Sequence, residues 1–444
     1  MNIDEIIEPL RQANEQFAKH YPGETGRRQP VHTVYGGAHL FKSDTVQRLG
    51  SLARRSLEQF APDAATFANA IGLTGSAELP SRIYQRVTEK LQREPVEDFR
   101  IDFEDGYGNR PDAEEDGHAA SAAGEVAEGA RNQTLPPFIG IRIKPFNEEL
   151  RSRSFRTLDI FVRNLVERNN GQLPANFVVT LPKITIPQQV TALVQLLTRL
   201  EQETRLAEGS LKFEMMIETT QSIIDHSGQL NLPLLLAQAE GRCVAAHFGT
   251  YDYTAGCNIT AAHQHMLHQA CDFAKHMMQV SFAGTGVWLS DGATNIMPVA
   301  PHRAPEGGTL TQQQIDENRE TVHRAWRLHY DHIQHSLTNA FYQGWDLHPA
   351  QLPTRYAAVY AFFLESLDAA SERLKNFVEK AAKATLVGDV FDDAATGQGL
   401  LNYFLRAINC GAIKETEAVE RSGLTLPELR SASFVKILKN RQAL

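Results

Sequence analysis

Two acids carry the first chemical signal. Glu218 closes the apolar run FEMMIET, and Asp252 follows the next such run in HFGTYDYTA. Carboxylates at the ends of adjacent strands offer hard oxygen ligands, which suit magnesium or manganese and leave positions for substrate oxygens and water. A helix-capping acid and a surface acid would look the same. Arg142 ends GIRIKPF, with Lys144 two residues on. A guanidinium grips a carboxylate or thioester oxygen through two parallel hydrogen bonds and stays charged at any working pH. As a lone strand arginine it could instead pair with Glu104 or Asp105. The segment IDFEDGYG crowds Asp102, Glu104 and Asp105 together. Strand alternation puts Asp102 and Glu104 on one face and Asp105 on the other, so all three serve one centre only if the chain bends. They read as acids that orient Arg142, Lys183 or a metal-bound water, or as a purely structural cluster.

Other constellations are weaker. His263, His265, His268, Cys271 and Asp272 include three side chains on one helical face, a pattern more common on solvated surfaces and interfaces than in zinc sites. His39, Cys257 and His302 read as structural. The sequence holds no G-x-S-x-G elbow, no phosphate-binding G-x-x-x-x-G-K-[ST] loop and no convincing G-x-G-x-x-G at a strand–helix junction, which weakens hydrolase, kinase and dehydrogenase readings.

Elements that could position these residues follow from the pattern. Residues 1–20 read as an amphipathic helix, and YPGETGRRQP has the Pro and Gly of a connector. Eight short apolar or β-branched runs follow: 31–36, 98–104, 137–143, 176–182, 213–218, 243–249, 287–292 and 344–348. Amphipathic stretches such as 186–206 lie between them, so strand and helix alternate and parallel pairing is expected. Glu104, Arg142, Lys183, Glu218, Asp252 and Asp291 recur at intervals of about 35–40 positions, with His348 after a longer gap. The expected fold is a (β/α)8 TIM barrel over residues 31–353, preceded by a helix and connector at 1–30 and followed by a strand-free helical extension at 354–444. An open doubly wound sheet is the runner-up. The Gly/Pro-punctuated stretch 301–314 is either a lid over the rim or an ordinary surface loop.

Composition bounds the partners. A net charge of −9 over 444 residues gives no general field for nucleic acid or acidic membranes. Cys243, Cys257, Cys271 and Cys410 never form C-x-x-C, which fits a reducing cytoplasm. The acidic, helical start differs from a signal peptide, and no run approaches the roughly 20 apolar residues that span a bilayer.

In order, IDFEDGYG, GIRIKPF, LPKI, MMIET, FGTYDY, LSDG and WDLHPAQL resemble the strand-end motifs of the citrate lyase β-subunit-like branch of the aldolase/citrate lyase superfamily, to which malate synthases are related. The resemblance spans roughly residues 98–355. It implies magnesium on Glu218 and Asp252, Arg142 on the acyl or oxoacid substrate, and a homo-oligomer, commonly a trimer. GDVFDDAATGQGLLNYFLRA is similar to the family's C-terminal segment, which implies Asp392, or else Asp393, as the base. Two departures matter: the usual R-x-N reads Arg142-Ile143-Lys144, and the D-x-E-H of the hydroxy-oxoacid aldolase branch reads Asp102-Phe103-Glu104-Asp105.

The function expected from these residues is a magnesium-dependent carbon–carbon lyase or aldolase, or the reverse condensation, acting on a small oxoacid or coenzyme A thioester through an enolate. In this reading Arg142, Lys183 and Asp392 are catalytic, and Arg142, Lys144, Glu104 and Asp105 line the substrate. Phosphoryl transfer on a phosphoenolpyruvate-like substrate and a non-catalytic barrel are the alternatives.

Overall fold

The computed structural model describes residues 3–23, 26–75, 78–379, 385–387, 390–392 and 394–442. Eight strands, β1 (His32–Gly37), β2 (Asp98–Asp102), β3 (Phe138–Arg142), β4 (Phe177–Leu181), β5 (Lys212–Ile217), β6 (Cys243–Phe248), β7 (Trp288–Ala293) and β8 (Gln343–Asp346), form a closed barrel in sequence order. Strands pair in parallel, as in Asp102 with Arg142 and Arg142 with Thr180. Helices alternate with them, so the fold is a (β/α)8 TIM barrel. The apolar positions of the strands are largely β-branched or aromatic because both faces are covered: all five residues of β2, β3 and β4 are buried.

The chain divides into two compact units: Gln29–Lys275 with Leu289–Glu365, and Met1–Arg28 with His276–Trp288 and Ser366–Leu444. The helix Leu352–Glu365, placed in the extension by its pattern, therefore lies in the barrel unit, where most of its side chains are buried. In the other unit, the helices Leu367–Glu379, Ala394–Asn409 and Phe434–Gln442 surround a core of Leu374, Phe377, Leu401, Phe404 and Phe434. That unit is not strand-free: β9 (Thr385–Val387) and β10 (Val390–Asp392) pair antiparallel.

The barrel lumen is charged. On β2, alternation aligns Asp98, Arg100 and Asp102, and on β5 it aligns Glu214 and Met216. Arg100, 1% exposed, donates to Asp98 at 2.6 Å and to Glu214 at 2.7 Å, while Thr33 and Thr180 fill the remaining acceptor positions. A buried pair stripped of one partner costs about 3–5 kcal/mol, so this layer fixes β1, β2, β4 and β5 against one another. The β1–β8 closure has its own lock. His32 Nδ1 lies 2.8 Å from Asp346, and Arg355 reaches both Asp346 oxygens.

Candidate active site

Above the Arg100 layer the strands end in the residues singled out from the sequence. β3 delivers Arg142, which is 5% exposed. Its Nε donates to Asp102 Oδ1 at 2.7 Å and one terminal nitrogen to Asp102 Oδ2, while the other lies 3.1 Å from Glu104 and 3.8 Å from Asp105. The guanidinium carbon sits 4.8 Å above the Tyr35 ring of β1. Asp102 is itself pinned by the backbone N–H groups of Glu104 and Gly106, at 2.9 and 2.7 Å. Salt bridge, backbone bonds and aromatic bed together leave Arg142 one orientation, and it stays charged because Asp102 and Glu104 outweigh the cost of burial.

The bend that strand alternation required is present. β2 ends at Asp102, and the turn over 103–107 carries Glu104 and Asp105 to the same cation, Lys183. Lys183 Nζ donates to Glu104, lies 3.1 Å from Asp105 and 3.5 Å from Asp252. Its backbone is in the left-handed region at φ 50°, which costs a non-glycine residue on the order of 1 kcal/mol. The N–H of Lys183 donates to Glu218 Oε1 at 2.7 Å, so this strained turn after β4 is held by the acid that follows β5. Burial alone would lower the Lys183 ammonium pKa, but Glu218, Glu104 and Asp252 hold it well above its usual range.

Glu218 is 2% exposed, and burial together with neighbouring Asp252 raises its pKa from 4.5 to about 8. For Glu104, burial outweighs Arg142 and Lys183 and moves it up, whereas for half-exposed Asp105 the two cations outweigh burial and move it down. Gly249, after β6, makes this packing possible: a Cβ there would sit 2.4 Å from that of Glu218. Asp252 lies in the first turn of the helix Thr250–Gly256. Among the described residues no three His, Cys, Asp or Glu side chains converge as a ready-made ligand set, so Glu218 and Asp252 would hold a metal with help from substrate or water.

The structure thus brings Arg142, Lys183, Glu104, Asp105, Glu218 and Asp252 together. Lys144 is not among them: it donates to the Phe103 carbonyl at 2.6 Å and to Glu115 at 2.7 Å, under the Tyr107 ring. Asp291 also points elsewhere, to Lys275 and Ser336 at 3.0 and 2.7 Å. Asp272, grouped with the histidines, is spent on His335 and Lys275. The side chain of Asp392 lies outside the described residues, as does Asp393. Tyr35 is the site residue that sequence reasoning missed. Its signal was alternation along HTVYGG, which sets Thr33, Tyr35 and Gly37 on the lumen face.

A buried guanidinium and a half-buried lysine ringed by acids at the carboxyl ends of β2 to β6 lie where barrel enzymes place their chemistry. The chain belongs to the family described as a domain of unknown function, DUF6986, whose model matches residues 10–437. No curated protein matches it. Among solved structures, a citrate lyase from Burkholderia xenovorans LB400 is 17% identical, with 88% of this chain and 95% of that one covered at a TM-score of 0.57. Haloferax volcanii malate synthase also matches, as a lead(II) complex at 14% identity and a TM-score of 0.47, covering 94% of this chain and 99% of that one. The likeness to the citrate lyase is one of fold. Among the described residues no helix is long and apolar enough to cross a membrane.

Proposed function

We propose that this chain is a divalent-metal-dependent enzyme that breaks or forms a carbon–carbon bond beside the carbonyl of a small oxoacid or a coenzyme A thioester. One observation carries the reading. Among the described residues, Asp102, Glu104, Asp105, Glu218 and Asp252 have Arg142 and Lys183 as their cations, so the centre holds more negative than positive charge. An anionic substrate entering there needs further positive charge, which a magnesium or manganese ion held by Glu218 and Asp252 would supply. The donor set fits: two carboxylates of hard oxygen, one of them so poorly balanced that it favours its proton. When bound, such an ion would draw off the negative charge that develops on a carbonyl oxygen as the neighbouring carbon–carbon bond changes.

The chain's own residues do the rest. Arg142 has its Nε side fixed by Asp102, so the edge now facing Glu104 and Asp105 is the one a substrate carboxylate or thioester oxygen would take. Glu104 and Asp105 must yield there, and Lys183 can hold them aside because it already binds both. The Lys183 N–H keeps Glu218 aimed at the centre whether or not the lysine side chain moves. The resemblance of GDVFDDAATGQGLLNYFLRA to the family's C-terminal segment supports Asp392 as the group that moves the proton. The fold shared with a citrate lyase and the strand-end motifs support this chemistry over phosphoryl transfer.

A thermal-shift panel of oxoacids, acyl-CoA thioesters and phosphoenolpyruvate, each with and without magnesium, tests the proposal. A ligand specific to the folded state raises the apparent melting temperature. The expected result is a magnesium-dependent shift with an oxoacid or thioester that Arg142→Gln removes. A shift with phosphoenolpyruvate alone would replace it with the phosphoryl-transfer reading.

A further inference from the structure

The N-terminal helix Asp4–His20 has no buried residue. Its large apolar side chains are open to solvent: Ile3 is 59% exposed, Ile6 61%, Leu10 58% and Phe17 63%. A helix of this length with no packed face is marginal in water, and Pro9 within it removes one internal hydrogen bond. Exposed local pairs such as Arg11 with Glu8 and Glu15 add little to that stability. Some other surface must cover the face.

The spacing says what kind of surface. Ile3, Leu10 and Phe17 recur at seven-residue intervals, and Ile6 and Ala13 recur at the same interval between them. That alternation of three and four is the seam of a two-helix coiled coil, with Ile7, 51% exposed, widening it at one edge. Its flanking positions, Ile7, Pro9, Asn14 and Gln16, carry no charge that would exclude an identical partner. The two ends differ instead, with Asp4, Glu5 and Glu8 toward the start and Lys19 and His20 at the end, while Arg11 and Glu15 lie between them. A parallel pair would set acids beside acids. An antiparallel pair sets each acidic end beside a basic one and also opposes the two helix dipoles. In that arrangement the layers match by size, Leu10 against Ala13 and Ile6 against Phe17.

We infer that this helix is a self-association element, pairing antiparallel with the same helix of a second copy of the chain. The inference is independent of the chemistry proposed for the barrel. Light scattering on the full chain tests it: the wild type is expected at twice the 49.4 kDa chain mass or an even multiple, and Ile6→Glu/Leu10→Glu at half the wild-type mass with its unfolding transition retained. Orientation is read by disulfide trapping. A mixture of Leu10→Cys and Ala13→Cys chains should cross-link to each other faster than either does to itself. A monomeric wild type, an unchanged mass in the double variant, which would mean that the helix is covered elsewhere, or preferential self-cross-linking of Leu10→Cys would each overturn the inference.

Discussion

Replacing Glu218 by Gln in the metal-free protein should change how stability depends on pH. The Glu218 carboxyl is displaced from 4.5 to about 8 in the folded state by burial and by Asp252. A raised acid binds its proton more tightly when folded than when unfolded, so stability falls as pH rises through that window. Below about pH 4.5 both states are protonated and nothing is lost; above about pH 8 both are ionised and the full cost is felt. At about 1.4 kcal/mol per pKa unit, the loss between those limits is on the order of 5 kcal/mol. Glutamine keeps an oxygen to accept the Lys183 N–H bond and never ionises. Urea unfolding in chelator at pH 5, 7 and 9 should therefore show the wild type losing several kcal/mol relative to Glu218→Gln. Magnesium should restore part of the wild-type loss and none in the variant, because ligation requires the deprotonated carboxylate. Parallel pH dependence in the two proteins would refute the electrostatic account of this site.

Further outcomes follow from the same geometry. Asp102→Ala removes the principal partner of a buried guanidinium and should destabilise the chain by about 3–5 kcal/mol, read as a lower urea midpoint. Lys144→Met should also cost stability, because Glu115 is left buried without its ammonium, yet leave the ligand-induced thermal shift intact. Arg142→Lys should do the converse, weakening the ligand shift tenfold or more in concentration dependence because the planar fork is lost. Gly249→Ala drives a methyl group into Glu218 and should weaken magnesium binding measured by calorimetry, with a smaller effect on folding.

The barrel was legible because its strands are apolar runs at near-regular spacing, and each observed strand falls within a residue or two of its run. The rim residues were legible because strand ends converge in a closed barrel whatever the loops do. What local pattern could not show was pairing at long range. Arg100 meets Glu214 across 114 positions, and nothing in DFRID or KFEMMI marks either as the other's partner. Lys144 was misplaced for the same reason, since Glu115 captures it from the helix Asp112–Asn132. Asp105 joined Glu104 only because the chain leaves the strand at Asp102, and the left-handed turn at Lys183 has no sequence mark such as glycine. β9 and β10, three residues each, are too short for periodicity to reveal.

Whether the chain forms an enolate with a divalent ion on Glu218 and Asp252 can be tested before its substrate is known. Proton NMR in deuterium oxide would follow exchange at the carbon beside the carbonyl of pyruvate, 2-oxobutyrate and acetyl-CoA. Magnesium-dependent exchange is expected with at least one of them, above the rate with metal alone, and is expected to be lost in Asp252→Asn and Glu218→Gln. Exchange that persists in both variants, or none with any of the three compounds, would contradict it.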